Sequence, residues 1–78
     1  MKVKVLYFAQ VAEKVGCSKE EIMMEGNTTE DLLNYLKNKY AVLNDMTFKL
    51  AVDQTLIHEN ISIKDGTEVA LLPPFAGG

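Results

Sequence analysis

With 78 residues, 47% of them apolar and 24% charged, the chain has room for one small domain, and a domain of this size buries only about 60% of the surface its unfolded chain exposes, leaving little interior for a deep catalytic pocket. The net charge of −3 comes from 11 acidic and 8 basic residues spread along the sequence, without the basic stripe and interleaved aromatics that nucleic-acid binding needs. No apolar run approaches the roughly 20 residues of a membrane span, so neither nucleic acid nor membrane is an expected partner.

Lys2 to Phe8 alternates, with Val3, Val5 and Tyr7 on one side and Lys2, Lys4, Leu6 and Phe8 on the other, which is the period of a strand. The second side begins polar and ends apolar. Met1 leads straight into this pattern with no signal-peptide layout, so the expected location is cytoplasmic. Ala9 to Val15 carries Val11 and Val15 at i, i+4, and Gly16 is placed to close a short helix in a left-handed cap. Lys19 to Met24 reads as a second strand, between a turn at Gly16 to Ser18 and turn chemistry at Gly26 and Asn27. The two strands suit an antiparallel pair.

Thr28 is the clearest helix start. Its hydroxyl can accept an orphan backbone N–H, and Glu30 and Asp31 fall where first-turn negative charge suits the helix dipole. Leu32, Leu33, Leu36 and Tyr40 then make one apolar stripe, leaving Asn34, Lys37, Asn38 and Lys39 to solvent. After a loop around Asn44 and Asp45, Phe48 to Val52 and Thr55 to Ile57 read as strands joined by a tight turn near Asp53 and Gln54. Ile61 and Ile63 mark a connector tucked inward, and Asp65-Gly66 a sharp turn. Thr67 to Leu72 is the last strand, with Val69 and Leu71 on one face and Glu68, Ala70 and Leu72 on the other.

This order predicts an α+β fold, one mixed sheet with one main helix packed on one face. The first and last strands are the most apolar and belong at the sheet's centre, and the helix between them can serve as the crossover of a parallel pair. That is the β-grasp, or ubiquitin-like, arrangement, expected over residues 1–72, with residues 73–78 as an extended tail.

The tail reads Pro73-Pro74-Phe75-Ala76-Gly77-Gly78. Two prolines cannot continue a sheet ladder and hold the backbone extended, so they are expected to direct the remainder away from the body. Six extended residues reach at most about 20 Å, enough to place an end deep inside another protein. Gly77 and Gly78 lack side chains, so a narrow channel can grip their backbone while a large group sits beside the Gly78 carboxylate. The bland alternative is a frayed terminus; stiff prolines ahead of a bare glycine pair favour a working tail.

Together, this ending, Tyr7-Phe8-Ala9-Gln10 after the first strand, Ala51-Val52-Asp53-Gln54 and Asp65-Gly66 resemble the small subunit of molybdopterin synthase over nearly the whole chain. Phe75 stands where that family more often has a smaller aliphatic residue, and Asp53 where it often has Asn. The resemblance implies a sulfur cycle run on Gly78. An activating enzyme, using ATP and Mg²⁺, would adenylate the carboxylate; a persulfide donor would replace AMP and leave a thiocarboxylate. The large synthase subunit would then receive the tail and pass its sulfur to cyclic pyranopterin monophosphate, building the dithiolene of molybdopterin. The assembly implied is a heterotetramer of two small and two large subunits, with no cofactor held permanently and the catalytic acids and bases on the large subunit.

With one main helix covering one sheet face, Leu6, Phe8 and Leu72, joined by Leu56 from the hairpin, are expected on the other as an apolar patch of partner-site size. The alternative cover is the short helix or a loop. By resemblance, Phe8, Leu56 and Leu72 would serve both the activating enzyme and the large subunit. His58 has no second His or Cys to form a metal set, Cys17 cannot make an internal disulfide and reads as a small turn residue ahead of a reactive thiol, and Glu20, Glu21 and Glu25 read as a solvated edge. The four methionines read as core filling and edge contacts. Three rivals remain: a sulfur carrier for thiazole formation in thiamine synthesis, a modifier whose Gly78 forms isopeptide bonds with lysines, and an interaction module without tail chemistry.

Overall fold

In the computed structural model, residues 1–74 are described; Phe75, Ala76, Gly77 and Gly78, on which the tail reading depends, lie outside them. The elements are β1 (Lys2–Tyr7), α1 (Ala9–Val15), β2 (Lys19–Met23), α2 (Thr29–Lys39), a 3-10 turn (Ala41–Asp45), β3 (Lys49–Val52), β4 (Thr55–Ile57) and β5 (Glu68–Leu72). They form one five-stranded sheet in the order β2-β1-β5-β3-β4. β1 and β5 are parallel, and every other pairing is antiparallel. The expected mixed sheet with first and last strands adjacent at its centre is the one observed.

The alternation of β1 becomes its burial: Val3, Val5 and Tyr7 are sealed, while Lys2 and Lys4 face solvent. Val69 and Leu71 of β5, Leu50 of β3 and Ile22 of β2 share that interior, closed over by Val11 of α1, Leu32 and Leu36 of α2, and Leu43 of the 3-10 turn. All three helical elements therefore pack on the same side of the sheet. The stretch around Asn44 and Asp45, expected as a loop, instead winds into a short helix because Leu43 is driven fully into the core.

Local chemistry fixes the joints. Gly16 closes α1 in a left-handed conformation, φ 96°, with its N–H bonded to the Ala12 carbonyl at 2.8 Å. Thr28 caps α2 reciprocally: its hydroxyl accepts from the Asp31 N–H at 3.2 Å, and the Asp31 carboxylate accepts from the Thr28 N–H at 3.2 Å. The same carboxylate also accepts from the Thr28 hydroxyl at 2.9 Å and the Asn27 N–H at 3.1 Å, and these bonds, the Thr28 hydroxyl's first, hold its pKa below the ordinary value. Gly26 is required beside it, since a Cβ there would lie 2.6 Å from Asp31 Oδ2. Asp53 and Gln54 both take positive φ, 48° and 71°, as a two-residue hairpin between β3 and β4 demands.

A second expectation is corrected. Glu20 is not part of a solvated edge: its carboxylate accepts from the Tyr7 hydroxyl at 2.6 Å, the Tyr40 hydroxyl at 2.6 Å and Lys39 Nζ at 2.8 Å. It shares the inward parity of Ile22 on β2, and the end of α2 brings Lys39 and Tyr40 over it. Burial alone would raise its pKa, but the bonds from Lys39, Tyr40 and Tyr7 outweigh that and hold it low. Burial and the bond to Glu20 push the Tyr7 hydroxyl up, and the same two causes push Tyr40 to about 12.

Candidate functional site

The face opposite the helices divides along the strands. Register places Leu6 beside Ala70, Ala70 beside Ala51 and Ala51 beside Leu56, an apolar row across four strands. Next to that row, toward the end where β5 runs out, Phe8 and Leu72 fall together, since the Phe8 N–H bonds to the Leu71 carbonyl at 3.2 Å in continuation of the parallel ladder. Phe8 and Leu56 are 44% and 42% exposed, while Leu6 and Leu72 are half-buried. Large aromatic and aliphatic side chains left open in this way are the ones a partner covers at low desolvation cost.

Backbone geometry explains why Phe8 points outward. It keeps an extended conformation, φ −118° and ψ 147°, and so continues the alternation of β1. Ala9 then takes φ 50°, a left-handed conformation uncommon for a residue with a Cβ, and turns the chain into α1. Val11 is thereby carried to the opposite side of the sheet, where it is buried. The short helix that could have covered Phe8 is committed to the core instead.

At the exit of β5, Pro73 is buried and Pro74 exposed. Pro73 falls on the parity of Val69 and Leu71, so the first residue expected in the tail is held in the body, and the chain emerges one position later. Leu72, the residue before it, lies on the open face next to Phe8. His58 is exposed, and among the described residues no group of three potential metal ligands is found. Among them, too, no helix is long and apolar enough to cross a membrane. Cys17 is free and half-buried.

A mixed sheet of this order, grasping a helix on one face and, among the described residues, carrying no helix on the other, defines an α+β protein of the ubiquitin-like, β-grasp class. Within that class the chain belongs to the ThiS family, whose sequence pattern matches residues 5–78. It is 39% identical over 80 residues to the molybdopterin synthase sulfur carrier subunit of Escherichia coli, covering 97% of this chain and 99% of that one. Among solved structures it resembles a Pyrococcus furiosus protein provisionally described as molybdopterin converting factor subunit 1, with a TM-score of 0.87 and 28% identity over 95% of this chain and 98% of the other. Small archaeal modifier protein 1 of Methanosarcina acetivorans superposes with a TM-score of 0.82 and 25% identity, covering 99% and 96% of the two chains. A chain of the complex of subunits 1 and 2 of molybdopterin-converting factor from Helicobacter pylori matches with a TM-score of 0.74 and 28% identity, covering 100% of this chain and 100% of that one.

Proposed function

We propose that this chain is the sulfur carrier of a molybdopterin synthase and that Gly78 is its chemical group. A carboxylate is a poor electrophile, so the cycle begins when an adenylating enzyme transfers AMP from ATP, with Mg²⁺, to Gly78 and releases pyrophosphate. The terminal sulfur of a persulfide donor attacks the acyl carbon and AMP departs. A thiol then reduces the acyl disulfide, leaving a thiocarboxylate on Gly78. In the large synthase subunit this sulfur passes to cyclic pyranopterin monophosphate, water restores the carboxylate, and two such transfers supply the two dithiolene sulfurs.

The observation that carries this reading is the apolar half of the open face, with Phe8 and Leu72 placed at the end where β5 passes into Pro73 and Pro74. A partner docked there is within reach of a tail that extends at most about 3.3 Å per residue. Family membership and the names of the relatives support the same reading. Because one patch serves both the adenylating enzyme and the large subunit, the two bind in alternation and the charged carrier leaves the first before meeting the second.

Intact mass after incubation with ATP, the activating enzyme and a persulfide donor tests the chemistry. A gain equal to one oxygen replaced by sulfur is expected; an adenylated chain that never gains that mass defeats the proposal. Phe8→Lys is expected to abolish binding to the large subunit with the fold intact, and undiminished binding would remove the docking role of the patch. The likeness to small archaeal modifier protein 1 favours a second reading, in which Gly78 is joined to target lysines. The acceptor decides: the charged chain and large subunit converting the pterin precursor supports the first reading, and an isopeptide bond to lysine the second. A thiocarboxylate that forms normally but leaves the pterin precursor unchanged would point to the thiamine-pathway carrier.

A further inference from the structure

Hydrophobic contact is non-directional, so the apolar patch by itself cannot set how a partner is rotated on the sheet. The tail must nevertheless leave in one direction. The other half of the same face carries a charge pattern suited to that task. Register places Glu21, Lys4 and Glu68 side by side on β2, β1 and β5, with Lys19 beside Leu6 and Lys2 beside Met23. Asp53 is fixed next to Glu68, its N–H donating to the Glu68 carbonyl at 2.8 Å and its carboxylate accepting from the Glu68 N–H at 3.2 Å. At this end of the face the charges are therefore sorted: Lys2, Lys4 and Lys19 surround Glu21 on the β1–β2 side, and Glu68 and Asp53 stand together on the β5–β3 side, while Lys49, the cation that β3 adds to this face, stands at the other end beside Leu72.

Among the described residues none of these side chains is committed to an ion pair, although the Asp53 carboxylate is held by the Glu68 N–H. Neighbouring strands lie about 4.8 Å apart, close enough for Lys4 to pair with either flanking carboxylate. Yet among the described residues the one ion pair joins Lys39 to Glu20 on the opposite face. A shallow groove lined by Lys4, Leu6, Lys19, Glu21 and Glu68 runs from the edge of the apolar row into this charged zone.

We infer that the charge split orients a protein partner on the open face: its docking surface presents an acidic group to Lys4 and Lys19 and a basic group to Glu68 and Asp53, beside an apolar surface that covers Phe8 and Leu56. The inference rests on the docking role given to the patch under Proposed function. The large synthase subunit is the occupant, since the charged zone is continuous with the patch through Leu6 and both face the same way. Charges at the border of an interface act mainly on the association rate and its salt dependence.

Stopped-flow association with the large subunit, at low and high salt, tests it. Lys4→Glu and Glu68→Lys are each expected to slow association roughly tenfold at low salt, with the difference vanishing at high salt and dissociation little changed. Glu68→Gln should show a smaller loss of the same kind, and circular dichroism of each variant checks the fold. Association rates equal to the parent at every salt overturn the inference, as does a deficit that persists undiminished at high salt. Sedimentation of the free chain guards against a second copy as occupant: charge reversals that alter self-association and leave large-subunit binding unchanged also overturn it. Phe8→Lys separates this inference from the reading beneath it, because loss of binding there with silent charge reversals defeats the orienting role alone.

Discussion

Leu71 and Leu72 are neighbours in β5, yet Leu71 is fully sealed in the core and Leu72 looks onto the uncovered face. The same contrast runs through the whole sheet. On the helix side, Val3, Val5, Val69 and Leu71 are closed over by three helical elements. On the open side, residues of the same chemical type are left to solvent or to a partner. In a domain with so little interior, leaving half a sheet face uncovered is costly unless another protein completes it. The teaching of the comparison is a division of labour: substitutions on one face change whether the chain folds, and substitutions on the other change what it binds.

Leu36→Ala tests the first half with the largest expected effect. Leu36 is fully buried, and truncating such a leucine costs about 2–5 kcal/mol. Against a total stability on the order of 5 kcal/mol for a small domain, much of the population should unfold, seen as a collapse of the urea midpoint. Leu56→Ala, on the open face, should cost under about 1 kcal/mol because the side chain is already 42% exposed and leaves no sealed cavity. A Leu56→Ala midpoint loss as large as that of Leu36→Ala would break the division.

Glu20 sharpens the comparison, because it is a charged residue working on the folding side. Glu20→Ala leaves the buried Tyr7 hydroxyl without its acceptor and should cost roughly 2 kcal/mol in denaturant titration, whereas Glu21→Ala on the open face should cost next to nothing. The pH dependence follows from the direction of each shift. The Glu20 carboxyl is held below its ordinary value of 4.5, so its contribution is complete above that pH and is lost as the pH falls through the lower folded value. Lys39 is raised by its bond to Glu20, and the Tyr40 hydroxyl is raised from 10.0 to about 12, so their contributions are complete below their ordinary values and disappear as the pH climbs through the raised ones. Urea midpoints of the parent and Glu20→Gln, measured across acid pH, should converge as the pH drops; parallel curves would show that the charge on Glu20 does not matter.

Much of this was legible in the residues. The alternation in Lys2 to Phe8 and in Thr67 to Leu72 placed both faces, and Thr28 with Asp31 marked the helix start, because these signals are local and repeat at the period of the element that carries them. The 3-10 turn and the Glu20 network were not read, since each depends on packing between segments distant in sequence. Glu20 did leave a trace: it lies two residues from Ile22, on the inward parity of β2. Its partners Tyr7 and Tyr40 are 13 and 20 residues away, and nothing local announces that they meet. The exposure of Phe8 turned on a backbone detail, the left-handed Ala9, that sends the short helix to the core rather than over the patch.

The smallest effect expected on the folding side isolates that side most cleanly. Thr28→Ala removes the hydroxyl that accepts from the Asp31 N–H and donates to its carboxylate, but leaves the backbone bonds from Asn27 and Thr28 to that carboxylate in place. Half the reciprocal cap survives, so the loss should be about 1 kcal/mol, the usual size for an N-cap, read as a lower urea midpoint at unchanged slope. Thr28→Ser, which keeps the oxygen, should restore most of it. Thr28 caps a helix packed on the face away from Phe8, so the association rate with the large subunit should match the parent in both variants. A slowed association with the midpoint restored by serine would mean that the two faces are coupled through α2, and that the division drawn from Leu71 and Leu72 is not general.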